Sequence, residues 1–246
     1  EPISVVANVE MNGKAMGQKM RTFSVRSINE CLIGYVRPLK NGKTTFVSTR
    51  QYFAAYVNEE NPLIDKVLRE ALNTRIVRRF LGYQIGTAAS VDKQVYALWR
   101  VLQQRNFKYS SISYSSLSSN VVYSQRVRTF DDALNASQIN CVDGSVLFAS
   151  LLRAINITPV LVQMPGHMFV GYYTDASRKE LTFLETTMIG DVDLDDYFPG
   201  ERLDSTMTGR TQGEMSRLTF DKSKEYANAE FQRNKAKAVS YTHLRA

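Results

Sequence analysis

The stretch Asn140-CVDGSVLFASLLRAINITPVLVQMPGHMFVGY-Tyr173, followed by Leu181-TFLET-Thr187, decides how this chain folds. Val142, Val146, Leu147, Phe148, Leu151, Leu152 and Ile155 make residues 141–155 apolar almost all round, which predicts a buried central helix. Asn140 is suited to cap it, so Cys141 opens it. Segments 167–173 and 180–186 alternate as strands do, and the polar 174–178 between them suits a hairpin loop. Centring that hairpin on Ala176 sets His167 opposite Glu185, Phe169 opposite Phe183 and Gly171 opposite Leu181. Opposite residues have Cβ atoms about 4.5–5.5 Å apart, so a carboxylate there reaches the imidazole. A slip of one residue would turn Glu185 to the other face.

Cys141, His167 and Glu185 are therefore the candidate catalytic residues. A helix N-terminus, with its unpaired N–H groups and positive dipole end, favours a thiolate, as does a neighbouring imidazolium. The same N–H groups suit a developing oxyanion. A carboxylate beside His167 would fix its tautomer. The chain holds two Cys and two His, and His243 lies within the last four residues of the sequence. Gly144, one turn into the helix, lets a substrate or strand approach closely. Gln84, Gln125 and Gln138 are oxyanion-donor candidates, with Gln125 preferred. The Ser- and Tyr-rich segment 109–124 reads as a surface loop or as a wall of the cleft, with Tyr109, Tyr114 and Tyr123 as substrate contacts.

Cys141-Val-Asp143-Gly144, the helix end Leu152-Arg153-Ala154-Ile155, Gly166-His167-Met168-Phe169 and Leu184-Glu185-Thr186-Thr187 come in a telling order. Over 139–186 the chain resembles the catalytic core of the transglutaminase-like superfamily, a papain-like arrangement, in a bacterial-type member. In that family a Cys opens a buried helix, and a His and an acid follow on neighbouring strands. The chain departs from the pattern in carrying Glu185 where Asp is usual. The resemblance implies an α+β fold with the Cys helix packed on an antiparallel sheet. It also implies thiol-dependent acyl transfer on an amide or peptide bond, with no cofactor. Water as acceptor makes the protein a cysteine peptidase or amidase, and an amine makes it a transglutaminase. Bacterial-type members are more often hydrolytic, so hydrolysis is expected. The alternative is a catalytically inactive module of the same fold that binds protein or glycan.

The remaining sequence frames this core. At 246 residues the chain can bury a sizeable core. Its formal charge of +7 is spread along the chain, and no nucleic-acid-binding signature accompanies it. A protein or peptide substrate is expected, with no nucleic acid and no membrane span, since no apolar run reaches about 18 residues. The oligomeric state is left open. Residues 1–58 read as a β-rich module, a small immunoglobulin-like sandwich or an extra sheet, with turns at Asn12-Gly13 and Asn41-Gly42. Residues 59–246 form the second domain, ending in a helix and a strand. The first residue is Glu1 rather than Met, and with the β-rich front this favours an exported protein, periplasmic or extracellular. Helices are expected from Pro62 to about Phe80, with the cluster Arg75, Arg78 and Arg79 on a solvated face, and over 91–105, 129–136 and 220–235. Asp191-Val-Asp193-Leu-Asp195-Asp196 lacks an EF-hand's Gly and Glu, having Asp196 and Arg202 instead, so first-turn helix acids are expected rather than calcium. No zinc-ligand spacing occurs.

Overall fold

The computed structural model describes residues 2–110, 119–190, 193–235 and 240–243. The chain is a mixed α+β protein built from small antiparallel sheets and helices. β1 (Pro2–Met11) and β2 (Lys14–Ser24) form a two-stranded hairpin. Asn12 and Gly13 turn it with φ of 52° and 77°, the two positive values of a type I′ turn. β3 (Glu30–Pro38) pairs with β4 (Thr44–Ser48), and the 3₁₀ turn Arg50–Tyr56 follows. α1 (Ile64–Asn73) and α2 (Ala88–Gln104) come next, then the short β5 (Lys108–Tyr109) and β6 (Val122–Arg126). β6 completes a three-stranded sheet in the order β4-β3-β6. Thus residues 1–58 supply the strands β1 to β4. β3 takes its partner from beyond residue 58, and Cys31 and Phe53 join the main core.

α3 (Phe130–Ala136) leads through β7 (Gln138–Ile139) into α4 (Cys141–Ala154). Asn140 caps α4 in a capping box: its side chain accepts from Asp143 N–H at 2.8 Å, and Asp143 accepts from Asn140 N–H at 3.1 Å. Asp143 also accepts from Arg128 through Nη1 (2.5 Å) and N–H (2.8 Å), which ties the first turn to the preceding loop. Eleven of the fourteen residues of α4 are buried. This matches a helix that is apolar on every side.

β8 (Pro159–Met164), β9 (His167–Tyr173) and β10 (Leu181–Leu184) form the sheet under α4. The 3₁₀ turn Thr186–Ile189, α5 (Leu194–Tyr197), α6 (Leu203–Met207), α7 (Gln212–Asn234) and β11 (Ser240–His243) complete the chain. The sheet order is β10-β9-β8-β11. Strand alternation sends Leu161, Met168, Val170 and Tyr172 into the core with α4. It sends Val160, Val162, Phe169 and Phe183 into a second cluster with Ala227 and Phe231 of α7. Among the described residues no helix is long and apolar enough to cross a membrane.

Two helices depart from expectation. α1 stops at Asn73 rather than near Phe80, because Arg75 turns left-handed (φ 60°) just past the helix end. α7 starts at Gln212 rather than 220, on a capping box in which Thr211 accepts from Glu214 N–H at 3.2 Å.

Candidate active site

α4 presents Cys141 at its first position, partly exposed. β9 opens with His167, and Glu185 follows β10 at the start of a 3₁₀ turn. His167 Nε2 donates to Glu185 Oε2 at 2.5 Å, and the Cys141 side chain lies beside the imidazole. With Nε2 taken by the carboxylate, Nδ1 is the nitrogen left for the sulfur. All three predicted catalytic residues therefore meet.

The register that brings them together is not the expected one. Leu181 pairs with Tyr173, Phe183 with Gly171 and Leu184 with Val170. The hairpin loop is wider than read, because Asp175 folds it: its carboxylate accepts from the N–H groups of Lys179 (3.0 Å) and Glu180 (2.8 Å). Continuing that register sets Glu185 level with Phe169, diagonal to His167 on the same face. Here the extra methylene of Glu over Asp has a geometric use, since a diagonal partner must reach farther.

Glu185 is fully buried, and every part of it is held. Oε1 accepts from Thr187 Oγ1 (2.7 Å) and from Thr187 N–H (3.1 Å). The Tyr197 hydroxyl, 3.3 Å from Thr187 Oγ1, donates to it in turn. From α7, Ser223 Oγ accepts from Glu185 N–H and donates to Glu185 C=O, both at 2.9 Å. Burial pulls His167 down, but hydrogen bonds to Cys141 and Glu185 and their negative charge outweigh it, pushing the imidazole up to about 10. The site therefore holds a proton on His167 between a sulfur and a buried carboxylate.

The flanking candidates divide. Tyr109, on β5, pairs with Ile139, two residues before Cys141. Burial and the charges of Cys141, Tyr197 and Glu185 push its phenol up, so it belongs to this neighbourhood, and it is 47% exposed. Tyr114 lies outside the described residues. Tyr123 stands instead on β6, edge-on to Phe46 with ring centroids 5.7 Å apart, where Gly34 leaves room for the Phe46 ring. Gln125 lies opposite Cys31 in the same sheet, and among the described residues no hydrogen bond links it to Cys141. Gly144 is buried rather than lining a cleft. A Cβ there would meet Thr186 Oγ1 at 2.7 Å, so this glycine lets α4 close on the turn that carries Glu185. The Asn140 cap takes the N–H of Asp143 and leaves those of Cys141 and Val142 as the oxyanion donors nearest the sulfur.

Thr187, Ser223 and Tyr197 escaped the sequence reading. Thr187 follows Glu185 by two residues, a spacing at which a side chain bonds the backbone locally. Ser223 comes from a distant helix and leaves no local signal. A separate acidic group, Asp193, Asp195 and Asp204, brings carboxylate oxygens within 4.8 Å of one another. Backbone N–H groups of Leu194, Asp195, Leu203 and Asp204 take up these oxygens at the start of α5 and α6. Asp193 and Asp204 are hydrogen-bonded to each other, which raises the first and lowers the second. Residues 191–192 of that acidic run lie outside the described residues.

No protein-family model matches this chain, and no curated protein matches it.

Proposed function

We propose that this chain is a cysteine-dependent acyl-transfer enzyme with a transglutaminase-like core, acting on amide or peptide bonds and releasing the acyl group to water. The observation that supports this most is His167 standing beside Cys141 and hydrogen-bonded to the buried Glu185.

In this mechanism the Cys141 thiol proton resides on His167, and the sulfur attacks the substrate carbonyl carbon. The N–H groups of Cys141 and Val142 at the start of α4 stabilise the oxyanion. His167 then returns its proton to the leaving nitrogen, the C–N bond breaks, and a thioester remains on Cys141. His167 next takes a proton from water, whose oxygen attacks the thioester. The C–S bond breaks and the acid leaves. Glu185 keeps the imidazole oriented and offsets its positive charge throughout. An amine in place of water gives the transglutaminase outcome by the same steps. Tyr109, beside the sulfur and half exposed, is the side chain that would meet the bound acyl group.

The test is turnover of a panel of peptide amides, with and without an added primary amine, by the wild type and Cys141→Ala. The free acid as the main product, with turnover reduced on the order of 10⁴-fold or more in the variant, is the expected result. Equal turnover by the variant contradicts the proposal, and amine-conjugated product replaces hydrolysis by transfer.

A further inference from the structure

We infer that this protein carries an anion site for a phosphate ester, separate from the cysteine centre, in the groove between the loop after α1 and the first half of α2. The sequence places Arg75, Arg78 and Arg79 on a helix face. In the structure α1 has already ended at Asn73, and these residues lie on the irregular segment that follows. There they line a cavity of about 330 Å³ together with Lys93 of α2. A second cavity of about 500 Å³ shares Arg75, Ile76 and Lys93 with it, so the two form one continuous groove.

Four cations thus face one small space. Among the described residues no carboxylate pairs with any of them, whereas Arg217 at the far end is already paired with Asp221 at 2.9 Å. Asp92, which also lines the groove, is taken up by Lys224 at 2.5 Å and by the Tyr172 hydroxyl at 2.6 Å. The first turn of α2 holds no acidic residue, so the positive end of that helix adds to the field.

The loop is held rather than loose. Gln94, 2% exposed, accepts from the N–H groups of Leu81 (2.7 Å) and Gly82 (2.9 Å) and donates to Gly82 C=O (2.9 Å). At its other end Thr74 Oγ1 donates to Ala71 C=O at 2.6 Å. Pinning both ends keeps Arg75, Arg78 and Arg79 on the groove in the free protein, which lowers the ordering cost of binding.

The chemistry of the occupant follows from how closely the charge is gathered. A carboxylate carries one charge and is met by one guanidinium. Three guanidiniums and an ammonium around a cavity of this size suit a compact group with one or two charges and more acceptor oxygens than a carboxylate offers. Ile76, Val77 and the exposed Ile85 (57%) give the groove an apolar wall, which suits an ester substituent rather than the free ion alone. The shared ligand chemistry is a phosphate monoester or diester, from a small molecule or a lipid headgroup.

The experiment uses the full chain and four probes: phenyl phosphate, benzoate, and vesicles of phosphatidylglycerol or of phosphatidylcholine. Affinity is measured by titration, and for the soluble probes the backbone amide shifts locate the site. Phenyl phosphate should shift amides over 75–85 and at Lys93, bind more tightly than benzoate, and weaken as salt is added. Arg78→Ala with Arg79→Ala should weaken it about tenfold or more. Both residues are exposed, so folding should survive, and Lys19→Ala with Arg21→Ala on β2 controls for charge loss elsewhere. Binding to phosphatidylglycerol vesicles alone, lost in the Arg78/Arg79 variant, identifies a headgroup as the source. Benzoate binding as tightly as phenyl phosphate overturns the inference. So does binding of any probe that the Arg78/Arg79 variant retains, or no binding by phenyl phosphate or phosphatidylglycerol.

Discussion

Cys31 and Cys141 are the same residue in two settings, and both are free thiols. Cys31 sits inside β3, 2% exposed, and burial pushes its thiol up to about 12. Among the described residues its sulfur donates one hydrogen bond, to the C=O of Leu32 at 3.7 Å. Cys141 opens α4, partly exposed, with an imidazole beside it and a buried carboxylate behind that imidazole. One thiol is a small packing group, and the other stands beside an imidazole that a buried carboxylate holds in place. What separates them is the neighbourhood that secondary structure builds: a strand interior offers apolar side chains, and a helix start offers unpaired N–H groups.

The sharpest way to break that contrast is to alter the carboxylate that distinguishes the two sites. Glu185→Gln keeps the shape but removes the charge that fixes the imidazole, and should lower kcat on an amide substrate by about 10²–10⁴-fold. Glu185→Asp restores the residue usual in the family the chain resembles, yet it should also lose about 10²-fold. The reason is the diagonal register, which a shorter side chain does not span. Full activity in Glu185→Asp would remove the argument from register. Measuring kcat and KM separately shows whether the loss lies in the chemical step.

A smaller effect tests how the site is held together. Gly144→Ala places a methyl 2.7 Å from Thr186 Oγ1 and should destabilise the fold by about 1–3 kcal/mol in urea titrations. Thr186 Oγ1 is buried without a hydrogen-bond partner among the described residues, so Thr186→Ala removes the nearest obstacle without breaking a bond seen there. The double variant should recover most of the loss, and additive losses would contradict close packing of α4 on the turn after Glu185.

The sequence made the local parts of this site readable and the long-range parts unreadable. Asn140 and the apolar residues behind Cys141 set the start of α4, and alternation set the faces of His167 and Glu185. The hairpin register was misjudged because Asp175 organises the loop through its own hydrogen bonds, which periodicity does not report. The run Pro159–Met164 was not read as a strand, although it lies in the middle of the sheet. It is buried on both faces and so shows no alternation. The resemblance suggests Gln125 as an oxyanion donor, and the place of the Tyr-rich segment before the Cys helix suggests Tyr123 as part of a cleft wall. Pairing with β3, from far along the chain, places them in another sheet. The arginine cluster was read as helical because nothing in its composition marks Arg75 as the left-handed residue that ends α1.

The most direct test of the contrast is the rate of alkylation at each cysteine as a function of pH, in the wild type and in His167→Ala. His167 holds its proton up to about 10, so below that pH the imidazolium stands beside the sulfur and keeps it reactive. Cys141 should be modified at pH 6 faster than an ordinary thiol. His167→Ala should slow it steeply at pH 6 and restore the pH dependence of an ordinary thiol. Cys31 should stay unmodified in both until the protein is unfolded. A Cys141 that reacts no faster than an ordinary thiol at pH 6, and is indifferent to His167, would contradict the account.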